Sequence, residues 1–162
     1  MIGLKTADLL ACSASMGAII GGASDAECEA LYNYGYELGM AFQVADDYLD
    51  AFGDEKVFGK PIGGDIVNGK KSWLTVRTME KTPDRAAFLS AFAQPAETPE
   101  QKAAKIAAVK DIYLACGVDS DAKEEVVRFT GRAMEAVSGI GFGPLKIEVL
   151  HRFAEKLVGR AK

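Results

Sequence analysis

The sequence predicts an all-α protein: a single helical domain of about seven segments over its 162 residues. Three observations carry that prediction. Apolar residues recur at helical spacing along most of the chain, capping and stop signals separate the periodic stretches, and no stretch alternates as a half-buried strand does. The composition, 49% apolar and 26% charged, suits a globular chain long enough to bury a sizeable core.

The elements follow in order. Ala7 to Ala23 is rich in small apolar residues and reads as a buried helix that packs closely and stops at Gly21-Gly22. It is too short and too diluted to span a bilayer. The second helix opens with Ser24 or Asp25 as its cap and acidic residues in its first turn, and continues to Phe52. Leu31, Tyr34, Leu38, Phe42, Ala45, Leu49 and Phe52 form its apolar stripe at about 100° per residue. Tyr32, Tyr36 and Gly39 either line an apolar cavity or serve ordinary helix packing. A short helix then runs from Ser72 to just before Pro83, and Thr82-Pro83-Asp84 starts another with proline in its first turn. Thr98-Pro99-Glu100-Gln101 is a capping box that opens a helix closing at Gly117. Asp119 or Ser120 caps the next, which ends at Gly139, and the last runs from the turn at Gly141–Pro144 to about Gly159.

Charge and cysteine usage bound the function. A net charge of −4 argues against general nucleic-acid binding. Cys12, Cys28 and Cys116 lack metal-ligand spacing and read as reduced, buried thiols of a cytoplasmic protein. His151 reads as a helix-surface residue. The basic end, Lys146 to Lys162, is either a solvated face or a tail that helps close over an anionic ligand.

One stretch points to chemistry. Gln43, Asp46, Asp47 and Asp50 fall on one face of the second helix, roughly 130° from the apolar stripe. Three carboxylates within about one turn repel one another. Either solvent absorbs that cost or a hard cation with oxygen ligands offsets it. Downstream, residues 53–74 combine frequent glycines with lysines, a chain that turns often and exposes its amides. Carboxylates holding Mg²⁺ beside such a loop suit a phosphorylated ligand whose remaining charge the lysines neutralise.

The pattern Phe42-Gln43-x-x-Asp46-Asp47-x-x-Asp50, Gly53-Asp54, Gly59-Lys60, Gly63-x-Asp65 and Lys70-x-Ser72 resembles the second aspartate-rich motif of trans-isoprenyl diphosphate synthases, the polyprenyl synthetases. Lys5-Thr6-Ala7 resembles the Lys-Thr helix start of that family. The resemblance implies head-to-tail prenyl transfer between an allylic diphosphate and isopentenyl diphosphate. It implies Asp46 as the principal Mg²⁺ ligand, with Asp47 and Asp50 ligating the ion or holding its waters. Lys60, Lys70 and Lys5 would grip the leaving diphosphate, Thr6 and Gln43 would face the developing cation, and Phe42 would face the homoallylic substrate. It also implies a homodimer. The match between Asp-Asp-Tyr-Leu-Asp-x-Phe-Gly-Asp and farnesyl diphosphate synthases suggests a short-chain type.

The departure is as informative. The family's first aspartate motif and the arginines that follow it are missing, and Asp46-Asp47 is the one adjacent Asp pair in the chain. The sequence therefore resembles the C-terminal half of a synthase. Two functions follow: half of a prenyl-transferring enzyme, or a non-catalytic partner subunit that binds Mg²⁺-diphosphate without turning it over.

Overall fold

A computed structural model describes residues 3–54, 59 and 61–159. Among them are eight α-helices and no strand: α1 (Asp8–Ile20), α2 (Asp25–Phe52), α3 (Gly64–Val67), α4 (Trp73–Lys81), α5 (Arg85–Phe92), α6 (Pro99–Ala115), α7 (Val118–Ser138) and α8 (Pro144–Val158). A π-helical turn, Gly3–Ala7, leads into α1. The chain divides into two compact units, one of residues up to Ala45 together with those from Glu124, the other Asp46–Lys123. Helices α2 and α7 each run through both.

In the first unit α2 lies backbone-to-backbone on the start of the chain. A Cβ at Gly39 would stand 2.5 Å from Ala7 Cα, and one at Gly35 would stand 2.8 Å from Ala11 Cα. Gly39 thus serves helix packing, the plainer of its two expected roles. Only the small face of α1 is buried, through Ala11 and Ala18, continuing from Ala7 of the π-helical turn. Leu9, Met16, Ile19 and Ile20 are 61–84% exposed, so the expectation of a wholly buried first helix fails. On α2 the deepest residues of the expected stripe are Tyr34 and Leu38, while Leu31 and Phe42 are half-buried. Tyr34 donates its hydroxyl to Leu150 O at 2.7 Å and so ties α8 to this unit. Burial raises the Tyr34 pKa to about 12, which keeps that hydroxyl a donor.

The second unit is built around Tyr113 and Phe88, both fully buried, with ring centroids 6.1 Å apart. Phe52, at the end of α2, tilts against Tyr113 at 6.3 Å. Helix α4 is capped by Ser72, whose hydroxyl accepts the Thr75 N–H, and the Thr98–Gln101 capping box opens α6 as expected.

Of the two expected caps of α2, Ser24 is the one that exchanges hydrogen bonds with Glu27. Other boundaries differ from expectation. Asp84, not Thr82, caps α5, and Pro83 lies ahead of the helix. Helix α7 starts at Val118, directly after Gly117 at φ +65°, so Asp119 and Ser120 lie inside its first turn. The short α3 within the glycine-rich loop had no periodicity to reveal it. The three thiols are unpaired, Cys12 being exposed and the other two half-buried, so the buried-thiol reading is corrected. His151 lies on the exposed face of α8, 3.7 Å from Glu155. No helix of the described residues is long and apolar enough to cross a membrane.

Candidate functional site

Asp47 departs most from its sequence reading. It is 2% exposed, with one carboxylate oxygen accepting the Trp73 N–H at 2.7 Å and the other accepting Lys70 Nζ at 3.2 Å. Trp73 is the first residue of α4, so Asp47 sits at that helix's N-terminus, where the backbone dipole favours an anion. Asp46 and Asp50, by contrast, are half-buried. The four residues expected on one polar face are therefore split, with Asp47 turned inward.

Lys70 joins two segments. Its ammonium donates to Asp65 Oδ2 at 2.6 Å as well as to Asp47. Burial opposes its charge, but the hydrogen bond to Asp65 and the attraction of Asp47 outweigh that and raise its pKa. Asp65 in turn gives its backbone N–H to Asp50 Oδ2 at 2.8 Å, and the Gly63 N–H reaches Asp50 O at 2.6 Å. The last turn of α2 is thus bonded to the start of α3. Gly63 makes the junction possible: it adopts φ +86°, and a Cβ there would press within 2.6 Å of Ile106.

Burial raises the Asp50 pKa, and repulsion from Asp65 and Asp46 adds to it against the Asp65 N–H and Lys70, which lower it. A cation would relieve that repulsion. Among the described residues no three His, Cys, Asp or Glu side chains gather as a closed ligand set. That arrangement does not suit an all-protein cage. It does suit Mg²⁺, which keeps several waters and takes one or two carboxylates plus phosphate oxygens. Asp46 and Asp50 are hard oxygen donors of that kind, whereas Asp47 already holds Lys70 and Trp73. The residues present fit a water-rich Mg²⁺ site.

The remaining candidates fall elsewhere. In the first unit Thr6 donates its hydroxyl to Gln43 Oε1 at 3.0 Å, so the structure brings these two together. Lys5 is exposed in the π-helical turn, and Phe42 is half-buried on α2. Lys60 lies outside the described residues. Sequence reasoning did not name Asp65 as a site residue; its place in Gly63-x-Asp65, five residues before Lys70, was the available signal.

Comparison with known proteins decides the family. Residues 1–112 match the polyprenyl synthetase profile. The chain belongs to the polyprenyl synthetase family. It is 46% identical, over 52% of its length and 26% of the relative's, to a short chain isoprenyl diphosphate synthase of Methanothermobacter thermautotrophicus. A crystal structure of a geranylgeranyl pyrophosphate synthase covers 98% of this chain with 49% of its own, at 39% identity and TM-score 0.89. The Corynebacterium glutamicum geranylgeranyl pyrophosphate synthase, solved with isoprenyl diphosphate and magnesium, is 27% identical with TM-score 0.84, over 98% of this chain and 45% of that one. This polyprenyl synthetase chain thus spans less than half the length of the proteins it matches.

Proposed function

We propose that this polyprenyl synthetase chain supplies the Mg²⁺-diphosphate half of a prenyl transfer, joining an allylic diphosphate to isopentenyl diphosphate. The observation that supports it is the meeting of Lys70 with Asp47 and Asp65 beside the Asp46–Asp50 carboxylates. Among the described residues Asp46, Asp47, Asp50 and Asp65 gather about Lys70, an anionic balance that repels a diphosphate unless a divalent cation joins them. Asp46 is the first ligand in this reading, with Asp50 beside it. Asp47 acts on the ion only through Lys70 and the α4 terminus. When Mg²⁺ is held there it neutralises charge on the diphosphate that departs with the C–O bonding pair.

The chain's own residues do the rest. Lys70, and Lys60 and Lys5 by resemblance, bind phosphate oxygens by charge-assisted hydrogen bonds. Thr6 spends its one hydroxyl proton on Gln43, leaving its oxygen lone pairs as neutral dipoles for an allylic cation; a carboxylate there could be alkylated. The isopentenyl double bond attacks that cation near Phe42, and loss of a proton restores the alkene. The short-chain farnesyl type, a homodimeric assembly and a cytoplasmic location extend this reading.

A second reading, a non-catalytic partner subunit that binds Mg²⁺-diphosphate without turning it over, is favoured by the commitment of the Asp47 carboxylate to Lys70 and the Trp73 N–H. One assay separates the two. Prenyl transfer from geranyl diphosphate to isopentenyl diphosphate is measured with the chain alone and with a polypeptide corresponding to the relatives' N-terminal half. Activity that appears only on mixing supports the half-enzyme; binding without turnover in either sample supports the partner subunit.

A further inference from the structure

Against the Lys70 carbonyl lies a buried cluster of hydroxyls. Ser72, Thr75 and Tyr113 are 4%, 8% and 1% exposed. Thr75 Oγ1 stands 3.2 Å from Lys70 O, 3.0 Å from Ser72 Oγ and 2.9 Å from Tyr113 OH. A hydroxyl has one proton, and a carbonyl can only accept. Thr75 therefore donates to Lys70 O, and both Ser72 and Tyr113 donate to Thr75. The direction is forced: Tyr113 O–H to Thr75 Oγ1 to the Lys70 carbonyl. Burial raises the Tyr113 pKa, so its proton stays in place.

Helix α6 carries a second polar group on the same face. Lys105, two turns before Tyr113 and 5% exposed, donates to Val67 O at 3.4 Å, at the end of α3, while its ammonium lies over the Phe92 ring at 5.7 Å. Ile106 closes on Gly63 at the other end of α3. One helix face thus grips both ends of α3, which carries Asp65 and ends three residues before Lys70.

From this geometry we infer that Tyr113 is a positioning residue: acting through Thr75, it fixes the Lys70 main chain so that the ammonium meets Asp47 and Asp65. The inference rests on the diphosphate reading only for its consequence in binding; the hold on the loop stands without it.

Tyr113→Phe tests it, because the ring contacts with Phe52 and Phe88 remain and only the donor is lost. Amide hydrogen exchange is followed in the whole chain, with emission from Trp73, the chain's single tryptophan, as a second signal. The Lys70 and Trp73 amides should exchange about two- to tenfold faster, with the α7 and α8 amides unchanged, the range expected for one lost hydrogen bond. Thr75→Val should reproduce the effect, the double variant should add nothing, and Thr75→Ser should behave as wild type. Titration with Mg²⁺ and inorganic pyrophosphate should show a similar fold loss of affinity in Tyr113→Phe and Thr75→Val. Unchanged exchange at Lys70 and Trp73, or acceleration spread evenly over all helices, overturns the inference. Faster exchange confined to the loop, with no pyrophosphate binding by the wild type, supports the positioning role and counts against the diphosphate reading alone.

Discussion

Replacing Asp47 and replacing Asp46 should have opposite signatures, although the two are neighbours in one motif. Asp47→Ala strips the Trp73 N–H of its carboxylate partner at the N-terminus of α4 and takes one of two counter-charges from Lys70. A hydrogen bond to a charged group contributes about 1.5–3 kcal/mol, and an N–H left unsatisfied in a buried site costs about 1–3 kcal/mol, partly the same energy. Lys70 keeps Asp65, which limits the second loss. The total is about 3 kcal/mol. At about 2–4 °C per kcal/mol for a chain of this size, Tm should fall by about 6–12 °C. Asp46 is half-buried where Asp47 is enclosed, so Asp46→Ala should lower Tm by less, no more than about 3 °C, while abolishing Mg²⁺-dependent binding. Asp47→Asn should be intermediate, because one end of its amide must present N–H groups to Lys70 or Trp73, both donors. The assay is a thermal melt monitored by circular dichroism on the three variants. If Asp47→Ala melts within about 2 °C of Asp46→Ala, the inward role of Asp47 is wrong.

Other outcomes follow from the same geometry. Lys70→Ala should weaken pyrophosphate binding in the presence of Mg²⁺ by about tenfold or more while the helical circular dichroism signal persists, since the residue is about one-third exposed; an early melt with normal binding would make it purely structural. Tyr34 carries an alkaline instability: its folded pKa of about 12 exceeds the ordinary tyrosine value of 10.0, so the unfolded chain ionises first and stability drains away from pH 10 toward 12. Tyr34→Phe should flatten that limb in urea melts run from pH 8 to 12, leaving the like-signed contributions of Tyr113, Tyr32 and Lys70; an unchanged slope would contradict the burial of the hydroxyl. Gly39→Ala should cost about 1–3 kcal/mol by forcing α2 off Ala7, whereas Gly131→Ala, exposed on α7 with nothing near it, should gain up to about 1 kcal/mol. The apolar residues exposed on α1 should make the chain self-associate, as judged by sedentation equilibrium, and Met16→Glu with Ile20→Lys should reduce that.

What the sequence revealed was mainly local. The Thr98 capping box, proline at the head of α6 and the acidic start of α2 are interactions within a few residues, and they were read correctly. The inward turn of Asp47 was not legible, because a helical projection places it beside Asp46. What buries it is Trp73, 26 residues on, and Lys70, 23 residues on. The Thr75–Tyr113 bond spans 38 residues and leaves no periodic trace. The first helix misled for a different reason. Its composition says buried, yet the contact with Gly39 and Gly35 is made by Ala7, Ala11 and the Leu10 carbonyl, and Leu9, Met16, Ile19 and Ile20 are exposed. Motif spacing brought out the site, since Asp46, Asp50, Asp65 and Lys70 all lie in the matched pattern. Which of them turns inward depended on long-range hydrogen bonds.

The most direct test is calorimetric titration of inorganic pyrophosphate into the chain with Mg²⁺ and with the metal chelated. Binding should require Mg²⁺, and Asp46→Ala should abolish it in a protein that melts normally. Equal affinity without Mg²⁺, or undiminished binding by folded Asp46→Ala, would contradict the assignment of these carboxylates to a metal–diphosphate site.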